Sequence, residues 1–139
     1  MYARLQDLLQ WRMSLFLTGR HGDLAQEYLY PFPIYTGGRQ QVVRSAADME
    51  ATFGRLHKMA TARDIARIET WVVAIELPRG GRFRVWVAHR DFGKDGESLG
   101  SGQIVHYCRM TDAGIKTEMS DYPQCQSDWL STEPRRALA

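Results

Sequence analysis

The side chains best suited to acid–base chemistry lie on segments with the alternating hydrophobicity of β-strands. In the stretch RVWVAHRDFG, residues 84–93, two successive positions on the apolar face hold His89 and Asp91. A carboxylate that holds one imidazole nitrogen leaves the other free to accept a proton, as a general base requires. The pair is therefore either a catalytic or ligand-binding dyad at the rim of a pocket or the solvated end of a strand.

His106 is the second candidate for chemistry. Its predicted strand places Ile104 and Cys108 on the same face. Asp121 or Met119 would lie opposite it on the last strand, depending on register. With Asp121 there, the carboxylate would orient the ring for general acid or base catalysis. The alternative is a core histidine bonded to that carboxylate for stability.

Neither a metal nor a cofactor is expected. The sequence has no CxxC, no HExxH and no glycine-rich phosphate loop. A metal shared by His89, Asp91 and His106 is disfavoured, because a rise of ~3.3 Å per residue separates the two histidines by about 10 Å or more. Ligand bonds of ~2 Å do not span that distance.

Several other side chains are candidates for binding a small ligand. Trp11, Met49 and Met119 could line a pocket for a flat apolar molecule, although methionine more often fills gaps in a core. Tyr30 and Tyr35 lie in a predicted hairpin. They either present their hydroxyls to the pocket or cover the edge of the hairpin.

The helices that would close such a pocket are predicted in the first half of the chain. Apolar residues recur at three- and four-residue steps over residues 3–19. Asp23 is a candidate cap for a shorter helix, DLAQEYL. Ser45 followed by Asp48 is a variant of the capping box, and it predicts a helix that runs to about Met59.

The strands are predicted around and after the last helix. Pro31 and Pro33 exclude helix and favour an extended edge segment, which turns back at Gly37–Gly38. After Asp64 the hydrophobic period changes to two. The four strands predicted there are IARIETWVVAIEL, RFRVWVAHRDF, LGSGQIVHYCRM and IKTEMSDY.

The turn at Asp95–Gly96 predicts the register of the middle strands. A two-residue hairpin there pairs Val85 with His106. His89, Asp91, His106, Met119 and Asp121 then share one face of the sheet by alternation. The opposite face carries large apolar side chains that we expect to form a homodimer interface: Trp71, Val73, Trp86, Val105 and Tyr107.

Composition indicates one soluble domain. Apolar residues make up 44% and charged residues 24% of 139 residues, with a formal net charge of +2. Neither a nucleic acid nor a membrane is expected as a partner, because the net charge is small and the basic residues are scattered. Cys108 and Cys125 are the only cysteines, which favours a reduced cytoplasmic protein. We predict a single domain over residues 1–122 and a C-terminal tail over residues 123–139.

The order of these elements resembles the nuclear transport factor 2-like superfamily, and in particular its SnoaL-type and ketosteroid-isomerase-like members. The similarity covers about residues 3–122 and includes FLTGRHGDLAQEYLYPFPIYTGG and VWVAHRDFGKDGESLGSGQIVHYCRM. It implies an α+β fold, a cystatin-like roll in which a cone-shaped, bent antiparallel sheet wraps around N-terminal helices and encloses a cavity. It also implies frequent dimerisation through the outer sheet face.

The functions implied by this resemblance are diverse. Related proteins include isomerases, dehydratases, cyclases and hydrolases, together with ligand carriers and interaction modules. The isomerase-like members place a carboxylate base near the hairpin before the last helix, whereas YPFPIYTGGRQQVV contains no acid. Two functions remain open: cofactor-free acid–base chemistry centred on His106 and Asp121 in an apolar cavity, and a non-catalytic carrier or dimeric interaction module.

Overall fold

The computed structural model describes residues 1–123. The three helices are α1 (Tyr2–Leu17), α2 (His21–Ala25) and α3 (Ala46–Ala62). The six strands are β1 (Phe32–Thr36), β2 (Arg39–Val43), β3 (Arg67–Ile75), β4 (Arg82–Phe92), β5 (Ser98–Thr111) and β6 (Gly114–Tyr122). This is the predicted α+β order of elements. Apart from Pro123, the predicted tail lies outside the described residues.

The six strands form one curled, open sheet in the order β2-β1-β6-β5-β4-β3. The sheet is mixed, because β1 runs parallel to β6 while the other pairs are antiparallel. The predictions of a purely antiparallel sheet and of β1 as an edge are therefore wrong. β1 tolerates Pro33 inside the sheet because its pairing with β6 begins at the next residue, Ile34.

The predicted register between β4 and β5 is confirmed. Val85 pairs with His106, and Ala88 pairs with Gln103. Only the turn that joins β4 to β5 differs from the predicted two-residue hairpin. The Gly93 N–H donates to the Glu97 carbonyl, and an irregularity after Asp91 takes up the additional residue.

Helix α1 packs along β3, which is an edge strand of the sheet. Gln6 Nε2 donates to the Thr70 carbonyl at 2.6 Å, and Gln6 Oε1 accepts from the Val72 N–H at 2.9 Å. The Tyr2 hydroxyl also donates to the Val72 carbonyl. These bonds satisfy backbone groups that an edge strand would otherwise leave unpaired.

The two predicted helix caps, Ser45 and Asp23, have different outcomes. The Ser45 hydroxyl accepts from the Asp48 N–H at 3.2 Å and caps α3, as predicted. Asp23 does not cap α2, because that helix begins earlier, at His21. Asp23 instead lies in the first turn and pairs with Arg20. No helix within residues 1–123 has the length and apolar character needed to cross a bilayer.

The core consists of two groups of buried apolar side chains. One group joins the helices to β1 and β2, with Phe32 and Met49 among its most buried members. The other lies between α1 and β3–β5, with Leu5 and Val85 at its centre. Residues of both groups line a cavity between them, so the core is not continuous from one end of the sheet to the other.

Candidate functional site

A cavity of about 490 Å³ lies between the helices and the inner face of β3–β5. This volume is within the range of small-molecule sites. Its helical wall is mainly apolar and consists of Leu9, Met13, Phe16, Leu24, Phe53 and Leu56. The polar side chains are concentrated on the strands and at Arg12, so a ligand would meet an apolar surface on one side and hydrogen-bonding groups on the other.

His89 and Asp91 lie together in the wall of this cavity. Nδ1 of His89 is 3.3 Å from Oδ1 of Asp91, within reach of an N–H donated to the carboxylate. Asp91 is buried, and about a quarter of the His89 side chain is exposed. The pair is therefore not a solvated strand end. The carboxylate can fix the ring so that Nε2 is the nitrogen that accepts a proton.

Two glycines of β5 make room for this pair. Gly102 is the cross-strand partner of His89, and Gly100 is that of Asp91. A Cβ at position 102 would lie only 2.7 Å from His89 Nε2, whereas one at position 100 would be 3.5 Å from Asp91 Oδ2. The imidazole can thus lie against β5 because residue 102 has no side chain.

His106 also lines the cavity, but its partner is not the predicted one. Its Nδ1 forms a 2.8 Å hydrogen bond with the Ser120 hydroxyl. A β-bulge between Tyr107 and Cys108 shifts β6 by one residue, so that Ser120 rather than Met119 pairs with His106. The prediction that Asp121 or Met119 lies opposite His106 is therefore wrong.

Burial makes His106 a weak base. Desolvation, assisted by the positive charge of Arg12, lowers its pKa to about 3. The imidazole is consequently neutral near pH 7 and suits a hydrogen-bonding role better than proton abstraction. Within residues 1–123, its Nε2 has no hydrogen-bond partner.

Arg12 is a buried cation that also lines the cavity. Its Nε donates to Glu27 Oε1 at 3.2 Å, Nη1 to the Thr117 hydroxyl at 2.8 Å and Nη2 to the Ile115 carbonyl at 3.0 Å. The chain from Glu27 to Leu29 runs beside β6, where the Thr117 N–H donates to the Glu27 carbonyl. This strand-like contact holds Glu27 against the guanidinium.

Tyr28 follows in the same segment and lines the cavity beside Arg12. The guanidinium carbon of Arg12 is 5.7 Å from the centre of the Tyr28 ring, which also packs edge-on against Phe32. Burial raises the pKa of the Tyr28 phenol, so the hydroxyl keeps its proton. In the described part of the chain, this hydroxyl has no hydrogen-bond partner.

The other residues predicted to bind a ligand lie outside the cavity wall. The Tyr30 hydroxyl donates to the Ala25 carbonyl at 2.6 Å, and burial raises the pKa of this phenol. Tyr35 pairs with Asp121 in the β1–β6 ladder. Three further candidates are placed elsewhere: Trp11 on an exposed groove, Met49 in the core and Met119 opposite Tyr107.

The cavity-site residues that the sequence predictions missed are Arg12 and Ser120. Arg12 had a detectable signal, because it lies at helical spacing from Leu9 and Phe16 on the buried side of α1. A cation on an apolar stripe is rarely buried without a partner. Ser120 had no comparable signal, since the bulge that brings it to His106 depends on pairing with another strand.

The sequence matches no protein-family model and no curated protein. Solved structures of other proteins, in contrast, share this fold over most of the chain. One is a cystatin-like-fold domain of unknown function from Nostoc punctiforme, with 12% identity, a TM-score of 0.66 and coverage of 90% of this chain and 77% of the other.

Two further structures are similar to a comparable degree. An NTF2-like protein of unknown function from Shewanella oneidensis has 10% identity, a TM-score of 0.65 and coverage of 83% and 92% of the two chains. Aln2 from a Streptomyces species has 11% identity, a TM-score of 0.63 and coverage of 86% and 87%. The chain therefore has the nuclear transport factor 2-like fold, as the resemblance predicted. Identities this low show the fold alone.

Proposed function

We propose that the protein binds a small, mostly apolar molecule in this cavity and catalyses cofactor-free proton transfer on it, as isomerases, dehydratases and cyclases do. The observation that carries the proposal is the pairing of His89 with the buried Asp91 in the cavity wall. An oriented imidazole beside an apolar surface is the arrangement that general base catalysis needs.

The roles follow from the geometry. Asp91 accepts a hydrogen bond from the Nδ1–H of His89, which leaves the lone pair of Nε2 for the substrate. Nε2 takes a proton from a carbon next to a carbonyl, the C–H electron pair forms an enolate, and the proton returns at another atom. No oxidant or reductant is consumed. His106, neutral because its pKa is about 3, serves as a hydrogen-bond partner rather than as the base.

Deuterium exchange into simple ketones tests this proposal. The protein would be incubated in D₂O with 2-tetralone and 1-indanone, small ketones that have acidic C–H bonds, and deuterium incorporation would be followed by NMR. We expect exchange above the buffer rate for the wild type and loss of that excess in His89→Gln. Arg90→Gln is the matched control, since Arg90 is exposed and adjacent on β4.

The outcomes separate catalysis from transport. Enhanced exchange that is lost only in the His89 variant supports the proposal. Binding of the ketones without exchange contradicts the catalytic part and indicates a ligand carrier. If neither 2-tetralone nor 1-indanone binds to the protein, the whole proposal is contradicted.

We also propose that the outer face of the sheet forms a homodimer. Trp71 and Val73 remain 39% and 56% exposed, and Trp86, Val105 and Tyr107 are only half-buried on neighbouring strands. Large apolar side chains adjacent on one sheet face are typical of a protein–protein interface. A second copy of the chain would present the same face, as a twofold interface requires.

A further inference from the structure

The ion network beside the cavity carries more positive than negative charge. Glu27 contacts Arg12 at 3.2 Å and Lys116 at 3.4 Å, so one carboxylate is shared by two cations. The side chains of Arg12, Glu27 and Lys116 are only 6%, 12% and 16% exposed. Because a guanidinium stays protonated, one positive charge is left in excess in a poorly hydrated place.

The cavity wall does not supply a balancing anion at this position. Asp91 is the only carboxylate among the described residues that line the cavity, and it contacts His89. The same wall contains the guanidinium of Arg12. Near Arg12 the wall is therefore more favourable to a negatively charged ligand than to a positive one.

Polar groups without protein partners lie in the same part of the cavity. We define the Arg12 end as the part lined by Arg12, Tyr28 and His106. The Tyr28 hydroxyl and His106 Nε2 have no hydrogen-bond partner within the described residues. Buried polar groups normally have partners, so groups of this kind in a cavity wall indicate where a ligand's polar atoms bind.

We propose that the Arg12 end binds a carboxylate, which makes the ligand a small apolar carboxylic acid. This inference rests on the proposed function, in which the cavity binds a small molecule. Tyr28 donates its hydroxyl to the carboxylate and the Arg12 charge offsets that of the ligand, while the apolar part lies against α1 and α3. The lowering of the His106 pKa by Arg12 is consistent with a positive potential at this end.

Calorimetric titration with a matched pair of ligands tests the proposal. 2-Naphthoate and 2-naphthylmethanol share one ring system, but only the first is an anion at pH 7. We expect naphthoate to bind at least about tenfold more tightly, a difference of ~1.4 kcal/mol. Naphthoate is also expected to raise the His106 pKa measured by NMR, whereas the alcohol does not, because a nearby anion favours the imidazolium.

Variants test which residues produce the preference. Tyr28→Phe is expected to lower the ratio of acid to alcohol affinity severalfold. Tyr30→Phe is the matched control and should keep the ratio, because that hydroxyl donates to Ala25 rather than to the cavity. The double variant Arg12→Gln/Glu27→Gln removes both charges of the buried pair. It should lower the ratio of acid to alcohol affinity at least severalfold while the alcohol still binds, because the Arg12 charge is gone and the Tyr28 hydroxyl remains.

Each outcome of these experiments either supports or overturns the proposed carboxylate site. A tenfold preference that falls severalfold in Tyr28→Phe and also in the double variant supports a carboxylate site. Equal affinities of the wild type for the two ligands overturn the carboxylate site and leave the proposed cavity function intact. Binding of neither ligand overturns both. A preference that is unchanged in the double variant overturns the role of Arg12.

Discussion

His106 and Ser120 form a 2.8 Å hydrogen bond across β5 and β6, and no carboxylate takes the position of Ser120. The two histidines of the cavity therefore have different hydrogen-bond partners, Ser120 for His106 and Asp91 for His89. Burial and the positive charge of Arg12 keep the imidazole of His106 neutral beside the Ser120 hydroxyl, whereas Asp91 can accept an N–H from His89 and orient its ring. We therefore assign the proposed proton abstraction to the partly exposed His89 and not to the buried His106, for which it was predicted.

Protonation of His106 should make stability pH-dependent. Its folded-state pKa of about 3 lies below the unfolded value of 6.5. Between these values the unfolded chain binds the proton more readily, so stability falls as the pH falls. Between pH 7 and pH 5 this group costs about 2 kcal/mol.

Urea unfolding of His106→Gln checks this expectation. The loss of unfolding free energy between pH 7 and pH 5 should be smaller in the variant than in the wild type by about that amount. An identical loss in both proteins would mean that His106 is not buried as a neutral ring.

A side chain at position 102 should displace His89. In Gly102→Ala the new Cβ meets His89 Nε2 at 2.7 Å, which forces the ring to move. We expect changed ring resonances of His89 by NMR and at least a tenfold loss of any ketone exchange, since misplacement of a base by about 1 Å costs that much or more. Gly100→Ala is the control, with an ordinary 3.5 Å contact to Asp91. Equal effects of the two variants would contradict the close approach of His89.

Removal of the charge of Glu27 should destabilise the fold strongly. Glu27→Gln leaves the buried Arg12 without its counterion, which typically costs about 3–5 kcal/mol. Lys116→Met should cost much less, because Glu27 keeps its contact with Arg12. Chemical denaturation measures both. Similar losses in the two variants would show that Glu27 does not compensate Arg12.

The proposed dimer predicts a specific effect on sedimentation. Trp71→Glu introduces a charge into the proposed interface and should yield a monomer at micromolar concentration. Leu77→Glu is the matched control: Leu77 is more exposed, at 85%, but follows the end of β3 and should leave the dimer intact. A monomeric wild type would refute the interface.

Local patterns in the sequence predicted much of the architecture. The turn at Asp95–Gly96 brought Val85 opposite His106, because a hairpin register is set by a few neighbouring residues. The alternation of side chains along β4 also placed His89 and Asp91 correctly on the cavity face, because it depends only on neighbouring residues of one strand. Helical spacing and the Ser45 cap also predicted α1 and α3, although α1 ends two residues earlier and α3 three residues later than predicted.

The sequence by itself thus determined the order of elements, the β4–β5 register and three of the cavity's polar residues: His89, Asp91 and His106. Only the tertiary structure decided that Ser120 faces His106, because the bulge after Tyr107 arises where β5 pairs with β6. It also decided that Arg12 is buried, since the partner Glu27 reaches it through contacts with β6. Alternation and helical spacing describe one segment at a time, whereas these contacts depend on how separate segments pack against each other.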